Sequence, residues 1–312
     1  MWWKYYAFKI AGFSLAYLPR NVGYFGASLI ADFVCIFFPA TQAGVVENMR
    51  RVLGFDIDEV ALKKTTRGVL RNTAKNYFDL IKVPRMELKE IERLITVQGW
   101  EHLNDALEQK RGVVLVSAHL GSFDFAAQIF AVRSVKITAM VESLRPPSLL
   151  RHVTALRESH GVIFMPGQSG TLDSMMHLLR NGEAISMACD RNIQGKGTTS
   201  VFFGEEVTLP TVAVRLAMRT GAAIVPIFNY RNPDGSYVVN VEPAIDVLLG
   251  GNSAVTNNVA RVARVMEKYI QSHPDQWVVL KPIWGKINKK YKCLNRMEVL
   301  NDRECVNGNP IG

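Results

Sequence analysis

The stretch Arg111-Gly-Val-Val-Leu-Val-Ser-Ala-His-Leu-Gly-Ser-Phe-Asp124 decides the reading of this chain. Four apolar residues, Val113 to Val116, bounded by Gly112 and Ser117, read as a short strand buried on both faces. A loop follows in which Gly121 permits a sharp bend; Ser122 then stands as the N-cap of a helix, with Asp124 in its first turn. Strand, loop and helix in that order form the repeating unit of an open α/β sheet, where ligands bind beyond the carboxyl ends of the strands. His119 lies in that loop.

Working outward, short β-rich runs alternate with helical stretches as far as about residue 287. Strands are expected at 112–117, 135–141, 161–165, 184–188, 222–230, 237–241 and 277–280, and helices at 123–132, 147–159, 171–180, 212–220 and 254–272. The alternation predicts an α/β fold with a mixed, mostly parallel sheet flanked by helices. Upstream, apolar residues at helical spacing predict a long amphipathic helix over 57–81, ended by Pro84. Lys64, Arg67, Arg71 and Lys75 fall within an arc of about 80° on its other face, a stripe narrow enough to lie against phosphates or to be an ordinary solvated face.

Two apolar segments open the chain, 5–18 and 22–38, separated by Pro19 and Arg20. Both are shorter than the roughly 20 apolar residues of a spanning helix, and Asp32 sits inside the second. Trp2, Trp3, Tyr5 and Tyr6 beside Lys4 and Lys9 are the residues of an interfacial anchor. The expectation is therefore a membrane-associating helical segment over 1–40, a shallow hairpin in one leaflet or at most a single pass. An α/β domain over 41–287 and a basic, loosely held tail over 288–312 complete the chain.

The 312 residues are 48% hydrophobic, which excludes a disordered chain, and carry a formal charge of +9. The stretch 277–296 concentrates the surplus in Lys281, Lys286, Lys289, Lys290, Lys292 and Arg296, with no acid among them. Such a cluster suits an anionic bilayer or a nucleic acid, and the apolar N-terminus favours the bilayer. Cys35, Cys189, Cys293 and Cys305 form no C-x-x-C pair and have no histidine at ligand spacing, so neither a metal site nor a disulfide framework is expected. Cys189 ends an apolar run without a paired base and reads as core.

His119 and Asp124 are the expected catalytic pair. Five residues apart on one helix they would diverge by about 140°, so they can meet only if the histidine precedes the helix and the chain folds back at Gly121. An acid on one imidazole nitrogen would fix the tautomer and leave the other nitrogen to take a proton from a hydroxyl. Neither Ser117 nor Ser122 sits in a G-x-S-x-G elbow, so the attacking hydroxyl would belong to the substrate. The competing reading makes Asp124 a first-turn acid favoured by the helix dipole and His119 structural.

Ordered blocks across roughly three quarters of the chain add a resemblance: E-N-M-R-R-V from Glu47, V-Q-G-W-E-H-L from Val97, the stretch quoted above, R-P from Arg145, C-D-R-N from Cys189, F-F-G-E-E-V-T-L-P from Phe202, R-T-G-A-A-I-V-P from Arg219 and P-D-Q-W from Pro274. In this order they resemble the lipid A biosynthesis (late) acyltransferases of the wider lysophospholipid acyltransferase group. Phosphatidylinositol mannoside acyltransferases are similar. The resemblance implies direct acyl transfer from acyl-CoA or acyl-carrier protein to a lipid hydroxyl, at the cytoplasmic face of the inner membrane, without cofactor, metal or acyl-enzyme. It makes His119 the base and Asp124 its orienting acid. It marks Arg145, Asp190 and Arg191 as substrate contacts, Glu205 as a second acid near the acceptor, and Gly121 N–H or Arg145 as oxyanion donors. Asp124 stands where many lipid A acyltransferases have glutamate, which leaves the acceptor open between lipid A precursors, phosphatidylinositol mannosides and lysophospholipids; the missing F-P-E-G-T-R block disfavours lysophosphatidate. A membrane lipid-binding protein without chemistry is the non-enzymatic alternative, and a nucleic-acid partner is not expected, because no binding motif is present.

Overall fold

The computed structural model describes residues 12, 14–167, 170–193, 195 and 197–284. The expected apolar segment 5–18 and the basic tail 288–312 thus lie largely or wholly outside the described residues. Helix α1 (Arg20–Phe37) buries Gly23, Ala27 and Ala31, a stripe of small residues at four-residue spacing that lets it approach its neighbour closely. Helix α2 (Ala43–Leu53) follows, and then α3 (Glu59–Lys82), whose N-cap Asp58 accepts from the N–H groups of Val60 and Ala61. Helix α1 packs along α3. Among the described residues no helix is long and apolar enough to cross a membrane.

The sheet begins after α4 (Leu88–Leu94). In chain order the elements are β1 (Ile95–Gln98), α5 (Trp100–Glu108), β2 (Val113–Ser117), α6 (Phe123–Ala126), α7 (Ile129–Val132), β3 (Ile137–Val141), α8 (Pro147–Arg157), β4 (Ile163–Pro166), α9 (Thr171–Arg180), β5 (Ala184–Ala188), β6 (Gly197–Phe202), β7 (Glu205–Pro210), α10 (Val212–Thr220), β8 (Ala223–Arg231), β9 (Tyr237–Val241) and α11 (Asn252–Ser272). Seven strands form one sheet in the order β1-β9-β8-β2-β5-β3-β4, parallel except for the pair β8 and β9. Strand β2 is central and buried on both faces. Val114 and Val116 enter one core, with α10 and α11, and Val113 and Leu115 enter the other, with Phe125, Ile129 and Phe130.

Several expectations need correction. Residues 277–280 are not a strand: they follow a 3-10 turn, Pro274–Gln276, and Trp277 pairs through an isolated bridge with Leu120, in the loop beyond the central strand β2. The helix expected over 123–132 is two short ones, broken between Ala126 and Ile129. Strand β1 has only four residues, too few to show a period, and the β6–β7 hairpin turns at Phe203 and Gly204, both with positive φ, without the Asn-Gly or Asp-Gly that would announce it. The basic stripe is not a free face. Arg67 and Arg71 of α3 both grip the Asp32 carboxylate of α1 through Nε and Nη2, so the acid that interrupts the apolar segment is the tie between the two helices.

Candidate active site

The parallel register of β2 and β5 builds the site. Ser117 lies opposite Ala188, and the next residue but one on each chain is His119 and Asp190. Adjacent strands lie about 4.8 Å apart, so two side chains at equal distance beyond a register pair arrive side by side. The His119 Nδ1 is 2.7 Å from Asp190 Oδ1, and the His119 backbone N–H donates to Oδ2 at 2.9 Å. The Trp277 indole N–H donates to the same Oδ2 at 2.7 Å. Burial alone would push the fully buried Asp190 carboxyl up, but the facing His119 and these N–H donors outweigh it and hold the carboxyl below the usual range. An ionised carboxylate can only accept, so Nδ1 carries a proton, and in the neutral ring Nε2 keeps its lone pair. Among the described residues Nε2 has no hydrogen-bond partner, and the half-buried ring lines a cavity.

Groups from α3, β8 and the segment after α11 hold the loop between β2 and α6. Val278 N–H donates to His119 O, Asn229 Nδ2 to Leu120 O, and Asn76 Nδ2 to Gly121 O. Gly121 has φ +63°, and a Cβ there would lie 2.4 Å from Asn229 O, so the residue has to be glycine. Its N–H, the expected oxyanion donor, is spent on Gln276 O at 3.0 Å. Ser122 occupies the N-cap position of α6 but donates its Oγ to Asp79 instead of capping the helix.

Asp124 does line the same cavity, in the first turn of α6, yet its carboxylate is engaged elsewhere. Arg157, the last residue of α8, donates Nη2 to Oδ2 at 3.1 Å, and its Nε sits 2.8 Å from Oδ1 off the hydrogen-bond axis. No hydrogen bond joins His119 to Asp124 among the described residues; the acid on the imidazole is Asp190. Arg191 lines the cavity, 3.8 Å from Glu142. Arg145 is exposed in the loop after β3, next to the lining residues Glu142, Ser143 and Leu144. Glu205 is not in the lining: its carboxylate pairs with Arg51 at 2.6 Å, and Arg51 lies over the Trp284 ring. Burial and the neighbouring Asp190 push the Cys189 thiol up to about 12, which denies it a role as nucleophile.

The cavity measures 680 Å³, within the roughly 300–1,000 Å³ of ligand sites. Its lining combines polar groups, among them His119, Asn76, Asp124, Arg157, Arg191, Asn192 and Lys281, with apolar side chains that include Ala127, Phe130, Ala139, Phe164 and Val239. Ala139 pairs with Ser186, four residues before Asp190, so this part of the lining lies about 13 Å down the strands from the Asp190 end. Among the described residues no group of His, Cys, Asp and Glu could hold a metal ion. Trp277, Arg157, Asn76 and Asn229 are the site residues that the sequence reading did not single out. Of these only Trp277 stood in a quoted block, P-D-Q-W.

Comparison with known proteins gives a consistent picture. The family model of the bacterial lipid A biosynthesis acyltransferases matches residues 1–286. The phosphatidylinositol mannoside acyltransferase of Mycobacterium tuberculosis (strain CDC 1551 / Oshkosh) is 29% identical over 245 residues, 76% of this chain and 75% of that protein. Its counterpart in Mycolicibacterium smegmatis is 29% identical over 241 residues, 76% and 77% of the two chains. The lipid A biosynthesis lauroyltransferase of Escherichia coli (strain K12) is 27% identical over 197 residues, 62% of each.

Proposed function

We propose, from the premise that the chain belongs to the bacterial lipid A biosynthesis acyltransferase family and is an acyltransferase, that it moves a fatty acyl group from a thioester to a hydroxyl of a membrane glycolipid, with His119 as general base and Asp190 as its orienting acid. The observation that carries this reading is the free Nε2 of His119, opening on a cavity with an apolar end, while Asp190 holds Nδ1. Nε2 takes the acceptor's proton as its oxygen attacks the thioester carbonyl. Asp190 stabilises the imidazolium. The tetrahedral intermediate then collapses, the C–S bond breaks, and the departing thiolate takes the proton back from Nε2 to leave an ester and a thiol. No acyl-enzyme is needed, in keeping with a Cys189 thiol that stays protonated.

The acyl chain fits the apolar part of the cavity, and Arg191 and Lys281 are placed to meet phosphates of donor or acceptor. Asp124 acts through Arg157, pinning α6 to α8 and so shaping the wall of the acyl site. A phosphatidylinositol mannoside is the first acceptor to try, because the relatives so named match over more of the chain than those named for lipid A.

Helix α1 supplies the membrane contact. Val22, Phe25, Leu29, Ile30, Phe33, Ile36 and Phe37 are each more than half exposed, as is Phe38 beyond its end. Covering these side chains with lipid is worth on the order of 5–10 kcal/mol, enough to hold the protein on one leaflet without a spanning helix. The test is purified protein with acyl-CoA or acyl-carrier-protein thioester and either glycolipid, the product being read by mass spectrometry. His119→Ala is expected to abolish transfer, and turnover by that variant at the wild-type rate would refute the base assignment.

A further inference from the structure

Helix α1 contributes no group to the cavity, yet one buried carboxylate wires it to the loop that carries the base. Asp79 of α3 is 2% exposed and receives four donors. Its Oδ1 accepts from the Tyr24 hydroxyl of α1 at 2.6 Å, and its Oδ2 accepts from Ser122 Oγ at 2.8 Å, Arg231 Nη2 at 2.6 Å and the Tyr237 hydroxyl at 2.7 Å. The same Arg231 Nη2 donates to Asn76 Oδ1 at 2.7 Å, and Asn76 Nδ2 donates to Gly121 O at 2.6 Å. Two arms therefore run from Asp79 to the segment just after His119, one to the Ser122 hydroxyl and one to the Gly121 carbonyl. Arg20 of α1 completes the α1 side, donating to the Tyr24 and Tyr237 hydroxyls and to Gly235 O.

The seat of α1 is close. A Cβ on Gly23 would fall 2.0 Å from the Phe78 ring, so the Tyr24 hydroxyl reaches Asp79 only while α1 lies flat on α3. The opposite face of α1 is the apolar one described above. Whatever that face rests on biases the seat of α1, and through it the fourth donor of a buried carboxylate. A buried carboxylate oxygen left without a donor must find another or shift, and the groups within reach are those that hold Gly121 and Ser122.

Resting on the reading of the chain as an acyltransferase that works at a lipid surface, we propose that Asp79 is a positioning residue that couples the seating of α1 on lipid to the geometry of the His119 loop, so that turnover rises when α1 is engaged. Tyr24 is the input of this coupling and Ser122 its output.

The experiment uses the full chain, with the donor thioester and a phosphatidylinositol mannoside dispersed in neutral detergent, with and without vesicles of phosphatidylcholine and phosphatidylglycerol. Vesicles are expected to raise the wild-type kcat and leave the donor KM unchanged. Tyr24→Phe and Ser122→Ala should each lower kcat by about 5- to 50-fold, remove the vesicle stimulation, and combine in the double variant to no more than the larger single effect. Hydrogen exchange over residues 118–124, read on the same samples, should slow with vesicles in the wild type and not in Tyr24→Phe. Additive effects on kcat, or stimulation that survives in Tyr24→Phe, would overturn the coupling. Should the wild type transfer no acyl group, the functional reading fails, and exchange still judges the coupling: an equal vesicle response in wild type and Tyr24→Phe overturns it. Should Tyr24→Phe not fold, Ser122→Ala carries the same test from the loop side.

Discussion

Replacing Asp190 by Asn separates the two acids that compete for the role of orienting the base. The amide is nearly isosteric, but it has one accepting oxygen where the carboxylate has two. In the native site Oδ2 serves two donors, the His119 backbone N–H and the Trp277 indole, while Oδ1 serves only His119 Nδ1. The amide oxygen must therefore turn to the two fixed donors, which aims the NH₂ group at Nδ1. A donor facing Nδ1 selects the tautomer with the proton on Nε2, and a protonated Nε2 is no base. The same substitution in a serine-protease triad acts through the same tautomer change and costs about 10⁴ in kcat, or about 5.5 kcal/mol. Asp190→Asn is expected to lose kcat on that scale. The donor KM should hardly move, since the carboxylate is fully buried and does not line the cavity. Steady-state kinetics of acceptor-dependent thioester cleavage give both constants, and nitrogen chemical shifts of the His119 ring report the tautomer. A variant that keeps kcat within about tenfold of wild type, or that keeps the proton on Nδ1, refutes the reasoning.

Three more outcomes are expected. Asp124→Ala strands the guanidinium of Arg157 among largely buried groups and should destabilise the fold by about 3–5 kcal/mol in urea titrations, and replacing both partners by leucine should recover most of that loss. Ala139→Phe fills the apolar part of the cavity, so kcat/KM for long acyl thioesters should fall by about tenfold or more relative to short ones, and an unchanged chain-length profile would place the acyl chain elsewhere. Arg71 and Arg67, through their hydrogen bonds, hold the Asp32 carboxyl well below the usual carboxylate range, so the native state binds its proton later than the unfolded chain does. The stability lost in Asp32→Asn should therefore be complete above about pH 4 and shrink as the pH falls further, which urea midpoints from pH 7 to pH 3 will check.

The fold was legible in the sequence where composition forced it. Val113 to Val116 read as a doubly buried strand, and the strands over 184–188 and 237–241 match the observed ones residue for residue, because each is a short, largely apolar run bounded by turn residues. The parts that were not legible are those whose conformation comes from elsewhere in the molecule. Residues 277–280 carry the composition of a strand, but Trp277 is drawn instead to the buried Asp190, and Gln276 brackets Arg231 through both its backbone groups. The basic stripe on α3 had the right spacing for a phosphate surface. Its use became clear only when α1 brought Asp32 to Arg67 and Arg71.

The H-x-x-x-x-D spacing shows how a motif can be placed correctly and its partners still be unreadable. Both residues reach one cavity because the loop turns back at Gly121, as the spacing required. Which acid touches the imidazole is fixed by strand order, and a single sequence does not reveal strand order. Had β2 and β5 been separated by another strand, Asp190 would stand about 10 Å from His119, out of reach of the imidazole. Because they are neighbours in register, the acid two residues beyond β5 takes Nδ1, and Asp124 is left to Arg157. That division has an electrostatic consequence. The Arg157 charge cancels that of Asp124, so among the described residues the buried anion against the His119 imidazole is Asp190, which on the proposed mechanism would stabilise the imidazolium.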